Sequence, residues 1–576
     1  MRAPSLRLVL VLVGWSCVFV PSVALATWPD DPTVNVPVCT TPGMKWTPTA
    51  ISDGAGGAIV FWMDRRNPPG DEFDIYAQRL SANGTALWDS GGVAISTAPG
   101  SQYYPQAVSD GGAGAIITWD NSGGGIYAQR VSAGGVTLWQ TNGVPICNPI
   151  GSEHTPSIVP DGAGGAIIAW DDQRAGPTGS DVRAQRVNAD GVAQWQTNGV
   201  GVCTLFNDQI GATAVSDGAG GAIVTYEQVN VPSTAETHGT FYLLGQRISG
   251  DGTMQWGSTG VVFCNSSGGP YNVTSDGAGG FIAAWEDRRG TDDDIYAQRL
   301  DAAGVPRWTP NGQAVCAQGS AFSPSLITDG SNGAIVTWSD YRGEYRARAQ
   351  RLDAEGAPQW ALDGESVSVA QGNGTTIVSD GAGGAIIAWH LWNGTGFDIY
   401  GQRVDPAGSL QWPANGVAIT TAVGDQQGSN SNRYCNIASD DAGGAIVVWH
   451  DARDTANDAV YAQQVDHMGN LGDPQFVDAN PRDVTAMSLA PMRPNPTRQS
   501  AFVSFDVPRP MTVSLVVYDV GGRSVRALFR GHHEAGHSSL SWDLRDDAGH
   551  AVPAGLYFLR LEGLGQAFTR RVAVIR

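Results

Sequence analysis

The sequence predicts an all-β protein in which eight copies of one repeat precede a smaller β module. The first indication is the phrase SDGAGG or a close variant, which recurs through most of the 576 residues. A period near 50 residues is typical of propeller blades, and helical periodicity is absent between the copies. The aspartate of the phrase recurs every 51 to 60 residues, at Asp53, Asp110, Asp161, Asp217, Asp276, Asp329, Asp380 and Asp440.

Each copy carries four short strand signals, which is the number of strands in a β-propeller blade. In the second copy they read YPQAV, GAIITW, IYAQRV and GVPIC. The second run does not alternate apolar and polar residues, as expected of a strand covered on both faces. The SDG phrase supplies an aspartate that accepts turn amides and glycines that adopt positive φ. We expect one tight hairpin in every blade, with a different or strained turn where Asp441 replaces the first glycine.

The N-terminal strand is predicted to complete the last blade. The eighth copy runs out at VDHMGNLGDP before its fourth strand, whereas VNVPVC, ending at Cys39, matches the fourth strand that ends at Cys147. Closing the ring in this way leaves no open sheet edge. The predicted fold is an eight-bladed β-propeller closed by an N-terminal strand and followed by a small β-sandwich.

The first 26 residues have the features of a secretory signal peptide. Arg2 and Arg7 precede an apolar run at 8–20, and Ala24-Leu25-Ala26 forms a small-residue cleavage site. We favour a cleaved signal over a lipid anchor at Cys17, because apolar sequence continues beyond that cysteine. No later apolar run is long enough to span a bilayer. The mature chain is expected to be secreted or displayed on a bacterial cell surface, without a transmembrane anchor.

The chain is strongly acidic, with 34 Lys and Arg against 55 Asp and Glu and a net charge of −21. Nucleic acids and anionic membranes bind clustered cations. Neither is therefore expected as a partner.

The six cysteines after residue 26 raise the question of disulfides, because the protein is predicted to be exported. Equivalent positions in different blades lie too far apart for the Cα separation of up to about 7 Å that a disulfide allows. We expect small buried thiols, with Cys435 outside the repeat pattern. The five that share one repeat position with Ser and Thr are Cys39, Cys147, Cys203, Cys264 and Cys316.

A second tryptophan follows the third strand in seven copies, as in LDAAGVPRW, which ends at Trp308. The others are Trp88, Trp139, Trp195, Trp256, Trp360 and Trp412. The stretch IYAQRLDAAGVPRW resembles the tryptophan-docking motif of the quinoprotein-like eight-bladed propellers. The resemblance implies that each tryptophan locks one blade to the next. No cofactor is predicted, because an adjacent cysteine pair and a cofactor-binding set are missing from the sequence.

The repeats, predicted to occupy residues 27–473, give way to a Pro-containing linker at 474–490 and a β-sandwich at 491–576. Alternating Val513, Leu515 and Val517 introduce six or seven short strands in this last segment. The segment resembles the Ig-like C-terminal domain of FlgD and Vpr-type proteins and the type IX secretion sorting domains. The resemblance implies export or surface attachment, with secretion machinery as a partner, and no catalytic residue. It is carried by Asn495-Pro496, Tyr518-Asp519, Gly521-Gly522, Trp542-Asp543, Gly549, the run from Pro553 to Tyr557, and the run from Arg570 to Arg576.

Loops that follow the second strand vary between copies, and variable loops on a rigid scaffold often bind ligands. Several open with Asp followed by Arg, with aromatic residues nearby. We expect either a ligand-binding ring for a polar polymer or local ion pairs at the strand ends. The candidate ligand-binding residues are Asp64, Arg65, Arg66, Arg174, Asp287, Arg288, Arg289, Tyr341, Arg342, Trp392 and Arg453.

Catalytic and metal-binding residues are not predicted from the sequence. The run Asp292 to Asp294 has oxygen ligands suited to Ca²⁺ but is interpreted as a solvated acidic cluster. His390 and His450 depart from the repeat without a neighbouring nucleophile or metal-ligand spacing. The predicted function is non-catalytic binding or adhesion to a polysaccharide or surface protein. The alternative is an extracellular polysaccharide hydrolase or lyase that uses loop carboxylates.

Overall fold

The computed structural model describes most of the chain as β-strands joined by turns. The predicted signal peptide, residues 1–26, lies outside the described residues, as does most of the predicted linker. Within the described residues, no helix has the length and apolar character needed to cross a membrane. The described ranges are 28–67, 72–148, 153–174, 179–205, 207–230, 240–265, 268–290, 292–426, 435–453, 458–472, 487–489, 492, 497, 501–509, 511–533, 536–542, 544–547, 550–563 and 565–575.

The described part of 36–465 forms repeated four-stranded antiparallel sheets, which we number from 1 to 8. Sheet 1 contains Lys45–Ser52, Ala58–Asp64, Asp74–Leu80 and Val93–Ser96. Sheet 2 contains Gln102–Ser109, Ala115–Asn121, Ile126–Val131 and Val144–Pro145. Sheet 3 contains Glu153–Pro160, Ala166–Asp172, Asp181–Val187 and Val200–Cys203. Sheet 4 contains Gln209–Ser216, Ala222–Asn230, Thr240–Ile248 and Val261–Cys264.

The remaining repeat sheets follow the same order, except that the last sheet takes one strand from the N-terminus. Sheet 5 contains Gly268–Ser275, Phe281–Asp287, Asp294–Leu300 and Gln313–Cys316. Sheet 6 contains Ser320–Thr328, Ala334–Tyr341, Tyr345–Leu352 and Glu365–Ser366. Sheet 7 contains Asn373–Ser379, Ala385–Trp392, Phe397–Val404 and Val417–Thr420. Sheet 8 contains Asn436–Ser439, Ala445–Asp451, Ala459–Val465 and Val36–Cys39.

The sheets follow one another around a closed ring, as expected of a β-propeller. The first strand of every sheet contacts the first strand of the next one, and the first strand of sheet 8 contacts that of sheet 1. Val36–Cys39 pairs with Ala459–Val465, so the predicted closure by an N-terminal strand is confirmed. The apolar runs of the second strands are buried, as their unbroken apolar sequence predicts, and Ala58–Asp64 is buried along its whole length.

The recurring SDG turn is held by its aspartate. In sheet 1, Asp53 Oδ1 accepts hydrogen bonds from the amides of Ala55 at 2.9 Å and Gly57 at 2.8 Å. The intervening Gly54 has a φ of 70°, a value that glycine adopts without steric cost. In the last copy Asp441 keeps this conformation with a φ of 57°, so a non-glycine residue occupies the same turn.

The second tryptophan and the arginine of the AQR run hold neighbouring sheets together. Trp308 Nε1 donates to the carbonyl of Ala354 in the next sheet at 3.0 Å. Arg299 donates to the same carbonyl at 3.4 Å, and its guanidinium also pairs with Asp276 at 3.0 Å. The indole lies over Gly356, where an added Cβ would come within 2.6 Å of the ring. This contact ties the turn of one sheet to the turn of the next.

The same contact joins the other neighbouring sheets from sheet 1 to sheet 8: one backbone carbonyl accepts hydrogen bonds from both a tryptophan and an arginine of the preceding sheet. The acceptors are the carbonyls of Ala133, Ala189, Gly250, Ala302, Pro406 and His467. The predicted role of the tryptophans as a lock between sheets therefore agrees with their contacts. The six cysteines after residue 26 are buried and form no disulfide with one another, as predicted.

The junction between sheets 8 and 1 is built differently. Trp28, near the N-terminus, donates from Nε1 to the carbonyl of Ala82 at 2.9 Å and takes the position that a repeat tryptophan fills elsewhere. Gln464 replaces the arginine and donates to Asp440 at 2.9 Å. Ser52 of sheet 1 donates to Asp441 of sheet 8 at 2.6 Å, which gives the substituted turn residue a partner across the junction.

The C-terminal residues form a separate β-sandwich with its own hydrophobic core. One sheet contains Ser488–Leu489, Ala501–Val507 and Gly536–Trp542. The other contains Ser524–His533, Met511–Asp519, Gly555–Gly563 and Gln566–Val574. The rings of Trp542 and Tyr557 meet edge to face at 5.2 Å inside the core.

We expect Trp28→Ala to lower the free energy of unfolding by about 3–5 kcal/mol, because it removes a buried ring and the bond that closes the ring of sheets. Trp28→Phe keeps most of the packing and loses only the N–H donor, so we expect a loss nearer ~1 kcal/mol. Urea unfolding followed by tryptophan fluorescence measures both. Unchanged midpoints in both variants would mean that residue 28 does not stabilise the closure.

Candidate functional site

The antiparallel order of strands gives the ring two different faces. The SDG turns and the links between third and fourth strands lie on one face, which we call the turn face. The loops between second and third strands, and the links from each sheet to the next, lie on the other face, which we call the loop face. The hairpin of sheet 4 is the longest on the loop face among the described residues, since its strands pair from Ala222 to Asn230.

The predicted Asp–Arg pairs on the loop face are built into the sheets. In sheet 5, the carboxylate of Asp287 is fully buried and accepts a hydrogen bond from Trp285 Nε1 at 2.9 Å. Arg289 Nη2 pairs with the same carboxylate at 2.6 Å and donates to the carbonyl of Asn311. The guanidinium lies 3.9 Å from the centre of the Tyr296 ring. A buried carboxylate requires such partners, because an unpaired charge in the interior is costly.

The same local ion pair occurs in four other sheets, as Arg66–Asp64, Arg174–Asp172, Arg342–Asp340 and Arg453–Asp451. Several of these arginines also reach a cysteine of the preceding sheet, as in Arg66 to Cys39 at 3.2 Å. These contacts match the strand-end ion pairs that the sequence offered as one of two interpretations. Ligand binding remains a prediction for these side chains.

Four of the predicted site residues lie further from the sheet interior. Arg65 covers the ring of Phe73 at 4.8 Å. Arg288 has half of its side chain exposed and pairs with Asp293 at 2.7 Å. Tyr341 and Trp392 are exposed at the ends of second strands in the adjacent sheets 6 and 7. The structure therefore separates the predicted set into paired arginines within the sheets and a more accessible group.

Exposed aromatic side chains occur on the loop face alone within the described residues. They are Tyr104 with 53% of its surface exposed, Tyr341 with 44%, Tyr345 with 45% and Trp392 with 53%. The turn face instead exposes aliphatic residues, among them Leu87, Leu138 and Val192. Sequence analysis identified Tyr341 and Trp392 but missed Tyr104 and Tyr345, because exposure at a strand end depends on the neighbouring sheets.

The exposed rings are braced by other aromatic rings. The centres of Tyr341 and Tyr345 lie 4.8 Å apart, and Trp392 lies 5.0 Å from Phe397. Tyr104 lies 6.1 Å from Tyr103, which leads on to Phe73 and Trp46. Ring pairs at such distances hold one another in place.

A second group of side chains on the loop face shares one repeat position. Each follows directly after the buried aromatic residue near the end of a second strand, such as Trp62 or Trp285. Its side chains face the first strand of the next sheet. Glu286 Oε1 accepts the amide of Ser323 at 2.7 Å, and Ser339 Oγ accepts the amide of Gly374 at 2.9 Å. The residues at this position are Met63, Asp120, Asp171, Glu227, Glu286, Ser339, His390 and His450. The sequence showed the two histidines as departures but did not reveal this shared contact.

Several acids in this group have raised pKa values because they are partly removed from water. Burial raises the pKa of Asp171, although the amides of Gly211 and Ala212 donate to its carboxylate at 2.9 Å and oppose the shift. Burial together with the charge of Asp171 raises the pKa of Glu227 to about 7. Burial lowers the pKa of His390 to about 4, so this ring is uncharged at neutral pH.

Metal binding finds no support among the residues that the structure describes. Within them, no group of three or more His, Cys, Asp or Glu side chains is arranged to hold a metal ion. In the acidic run at 292–294, the carboxylate of Asp293 is paired with Arg288.

Comparisons with known proteins support the C-terminal assignment. Residues 495–566 match the FlgD Ig-like domain family. No curated protein sequence matches the chain. Among solved structures, the chain is similar to a PL25 polysaccharide lyase, an ulvan lyase, with 10% identity over 76% of this chain and 97% of that chain, at a TM-score of 0.39.

Two further solved structures show weaker likeness. An α-L-arabinofuranosidase from Fusarium graminearum has 13% identity over 56% of this chain and 98% of that chain, at a TM-score of 0.31. An endo-arabinase from Bacteroides thetaiotaomicron has 14% identity over 43% of this chain and 93% of that chain, at a TM-score of 0.23.

We expect Arg289→Ala to lower the free energy of unfolding by about 3–5 kcal/mol, because it leaves the buried Asp287 carboxylate without its cation. The adjacent Arg288→Ala is the matched control and is expected to change stability by less than ~0.5 kcal/mol, since its ion pair is exposed. Chemical denaturation measures the difference. Equal effects of the two substitutions would contradict a structural role for the Arg289–Asp287 pair.

We expect Glu227→Gln to change the pH dependence of stability. The raised pKa means that folded protein keeps a proton which unfolded protein releases, so wild-type stability falls as pH rises from about 4.5 to about 7. The glutamine variant lacks this contribution and should become more stable relative to wild type above pH 7. Melting temperatures from pH 4.5 to 8 measure the effect, with the exposed Glu355→Gln as control. Parallel curves for wild type and Glu227→Gln would contradict the raised pKa.

Proposed function

We propose that this chain is an exported or surface-displayed protein that binds a polysaccharide through the loop face of its propeller without cleaving it. The observation that carries the proposal is the restriction of exposed aromatic rings to that face, where Tyr104, Tyr341, Tyr345 and Trp392 are found among the described residues. Exposed aromatic groups on a soluble fold mark interaction sites.

Aromatic rings suit a sugar polymer because they combine a flat apolar surface with a polar edge. A sugar ring has one face made largely of C–H groups, which stacks on such a surface, while its hydroxyl groups remain hydrogen-bonded. Tyr341 and Trp392 stand in neighbouring sheets, and each is braced by a second ring. Two braced platforms in adjacent sheets favour an extended chain of sugars over a single small molecule.

The charge distribution favours a neutral polysaccharide. The net charge is −21, and the five arginines of the strand-end pairs are already matched with aspartates. An acidic polymer would meet net repulsion, whereas stacking on neutral sugars depends little on salt.

We further propose that residues 1–26 direct export and that the Ig-like module at 491–576 serves surface attachment or sorting through secretion machinery. The FlgD Ig-like match at 495–566 supports the identity of this module. Residues 27–473 would then present the binding face, and the segment at 474–490 would connect the two.

The second candidate function is an extracellular polysaccharide hydrolase or lyase. The specific observation in its favour is Glu227, whose pKa of about 7 lies in the range of general acids and bases that work at neutral pH. Asp171 lies close enough to shift that pKa, and two carboxyl groups in unequal environments are characteristic of glycosidases.

The test uses beads that carry arabinan, xylan, laminarin or polygalacturonate, with retention of the purified protein and release of reducing or unsaturated ends scored together. We expect retention on a neutral polymer without product. Combined Tyr341→Ala and Trp392→Ala should weaken retention at least tenfold, whereas Leu138→Ala on the turn face should leave it unchanged. Product release would overturn the non-catalytic proposal in favour of the enzyme, and retention unaffected by the aromatic substitutions would contradict the aromatic platforms.

A further inference from the structure

The first strand of sheet 5 breaks a pattern that other sheets keep. In four sheets, a residue with positive φ is followed by proline at the bulge near the start of the first strand, as in Thr47-Pro48, Tyr104-Pro105, Thr155-Pro156 and Ser323-Pro324. Sheet 5 places the proline one position earlier, at Pro270, and follows it with Tyr271. The strand register supports this equivalence. Asn272, the residue after Tyr271, pairs with Ala284, just as Ser325, the residue after Pro324, pairs with Thr337.

The displaced proline removes a hydrogen-bond donor. The amide at the first bulge position is the group that an acid or serine of the preceding sheet accepts elsewhere, as Glu286 does from Ser323 and Ser339 from Gly374. Proline has no amide hydrogen. Glu227 occupies the accepting position before sheet 5, and it accepts no hydrogen bond from any described residue.

The surroundings of Glu227 are otherwise complete. The hydroxyl of Tyr271 donates to the carbonyl of Gly211 at 2.7 Å and so bridges the first strands of sheets 4 and 5. Asp171, in the preceding sheet, has both carboxylate oxygens occupied by the amides of Gly211 and Ala212. Glu227 itself is half-buried at the loop-face end of its strand. Its carboxyl group is therefore left with unused hydrogen-bonding capacity that remains open to solvent.

We propose that Glu227 is a ligand-binding residue that holds hydroxyl groups of a sugar in the bound polysaccharide, an inference that rests on the proposed function. A carboxyl group with unused acceptor positions and partial access to water suits neighbouring hydroxyls of one sugar ring. Its raised pKa adds a proton for donation at neutral pH, so the group can both donate and accept. A metal ion suits it less, because no third metal-ligating side chain stands with it among the described residues.

The asymmetry of this position supports a binding role. A feature shared by all sheets serves the scaffold, whereas a site for one ligand needs a local departure from the repeat. Here two departures coincide, since Pro270 occupies the bulge position of the next sheet and Glu227 itself lies in Ala222–Asn230, a strand of the longest described hairpin. Glu227 occupies the same repeat position as Glu286 and Ser339, but no described residue donates a hydrogen bond to its carboxylate.

The test compares Glu227→Ala with Glu286→Ala, its counterpart in the next sheet, on the same four polysaccharide beads. Glu227→Ala should weaken retention at least tenfold without lowering the melting temperature, because it removes no hydrogen bond within the described part of the fold. Glu286→Ala should lower the melting temperature and leave retention normal, because it removes the carboxylate that accepts a hydrogen bond from the Ser323 amide.

The possible failures are distinguishable. Wild-type retention by Glu227→Ala, together with loss in the Tyr341→Ala and Trp392→Ala variant, would overturn the role of Glu227 and leave the proposed function standing. No retention of any polysaccharide by wild-type protein would overturn both. Pro270→Ala provides a second variant that keeps the carboxyl group. Alanine restores the missing amide hydrogen at position 270. We expect this amide to donate a hydrogen bond to Glu227 and therefore to weaken retention of the polysaccharide.

Discussion

The ring depends on one backbone carbonyl in each of sheets 2 to 8, which accepts hydrogen bonds from both a tryptophan and an arginine of the preceding sheet. The tryptophan supplies a large buried surface, and the arginine supplies charge that also anchors the aspartate of its own SDG turn, as in Arg299 and Asp276. The lock works only where the accepting turn carries glycine, because a Cβ at Gly356 would strike the indole. Sequence features that look separate, SDG, AQR and the second tryptophan, are therefore parts of one contact.

The junction of sheets 8 and 1 shows which parts of this lock are indispensable. A tryptophan is retained, although it is Trp28, which comes from the N-terminal end of the described residues rather than from sheet 8. The arginine is not retained, and with Gln464 in its place the pKa of Asp440 is raised, mainly by burial. Ser52 and Asp441 supply a substitute hydrogen bond. Burial of the indole thus matters more for closing the ring than the ion pair does, in keeping with the modest net value of partly exposed salt bridges.

Much of this fold is readable from the sequence because repeats make local signals reinforce one another. The hairpins, the fully buried second strand, the N-terminal closing strand and the free cysteines all follow from aligning the copies. Trp28 was missed because its position is set by the turn at Gly84 rather than by its own neighbours in sequence. The lack of a described hydrogen bond to the Glu227 carboxylate was missed for a similar reason: it depends on Pro270 in the next sheet, and the bulge position of that proline follows from the strand register of its own sheet.

The two groups of acids on the loop face illustrate how a repeat protein separates scaffold from site. Asp64, Asp172, Asp287 and Asp451 are buried with tryptophan and arginine partners, so their negative charge is neutralised inside the fold. Glu227 has only burial and a neighbouring carboxylate, and its pKa rises accordingly. A half-buried acid without a hydrogen-bond donor weakens the fold at neutral pH, and no described residue of sheets 4 and 5 donates a hydrogen bond to this carboxylate. Binding is the role that gives such a group a partner, and it lies on the same face as the exposed aromatic rings.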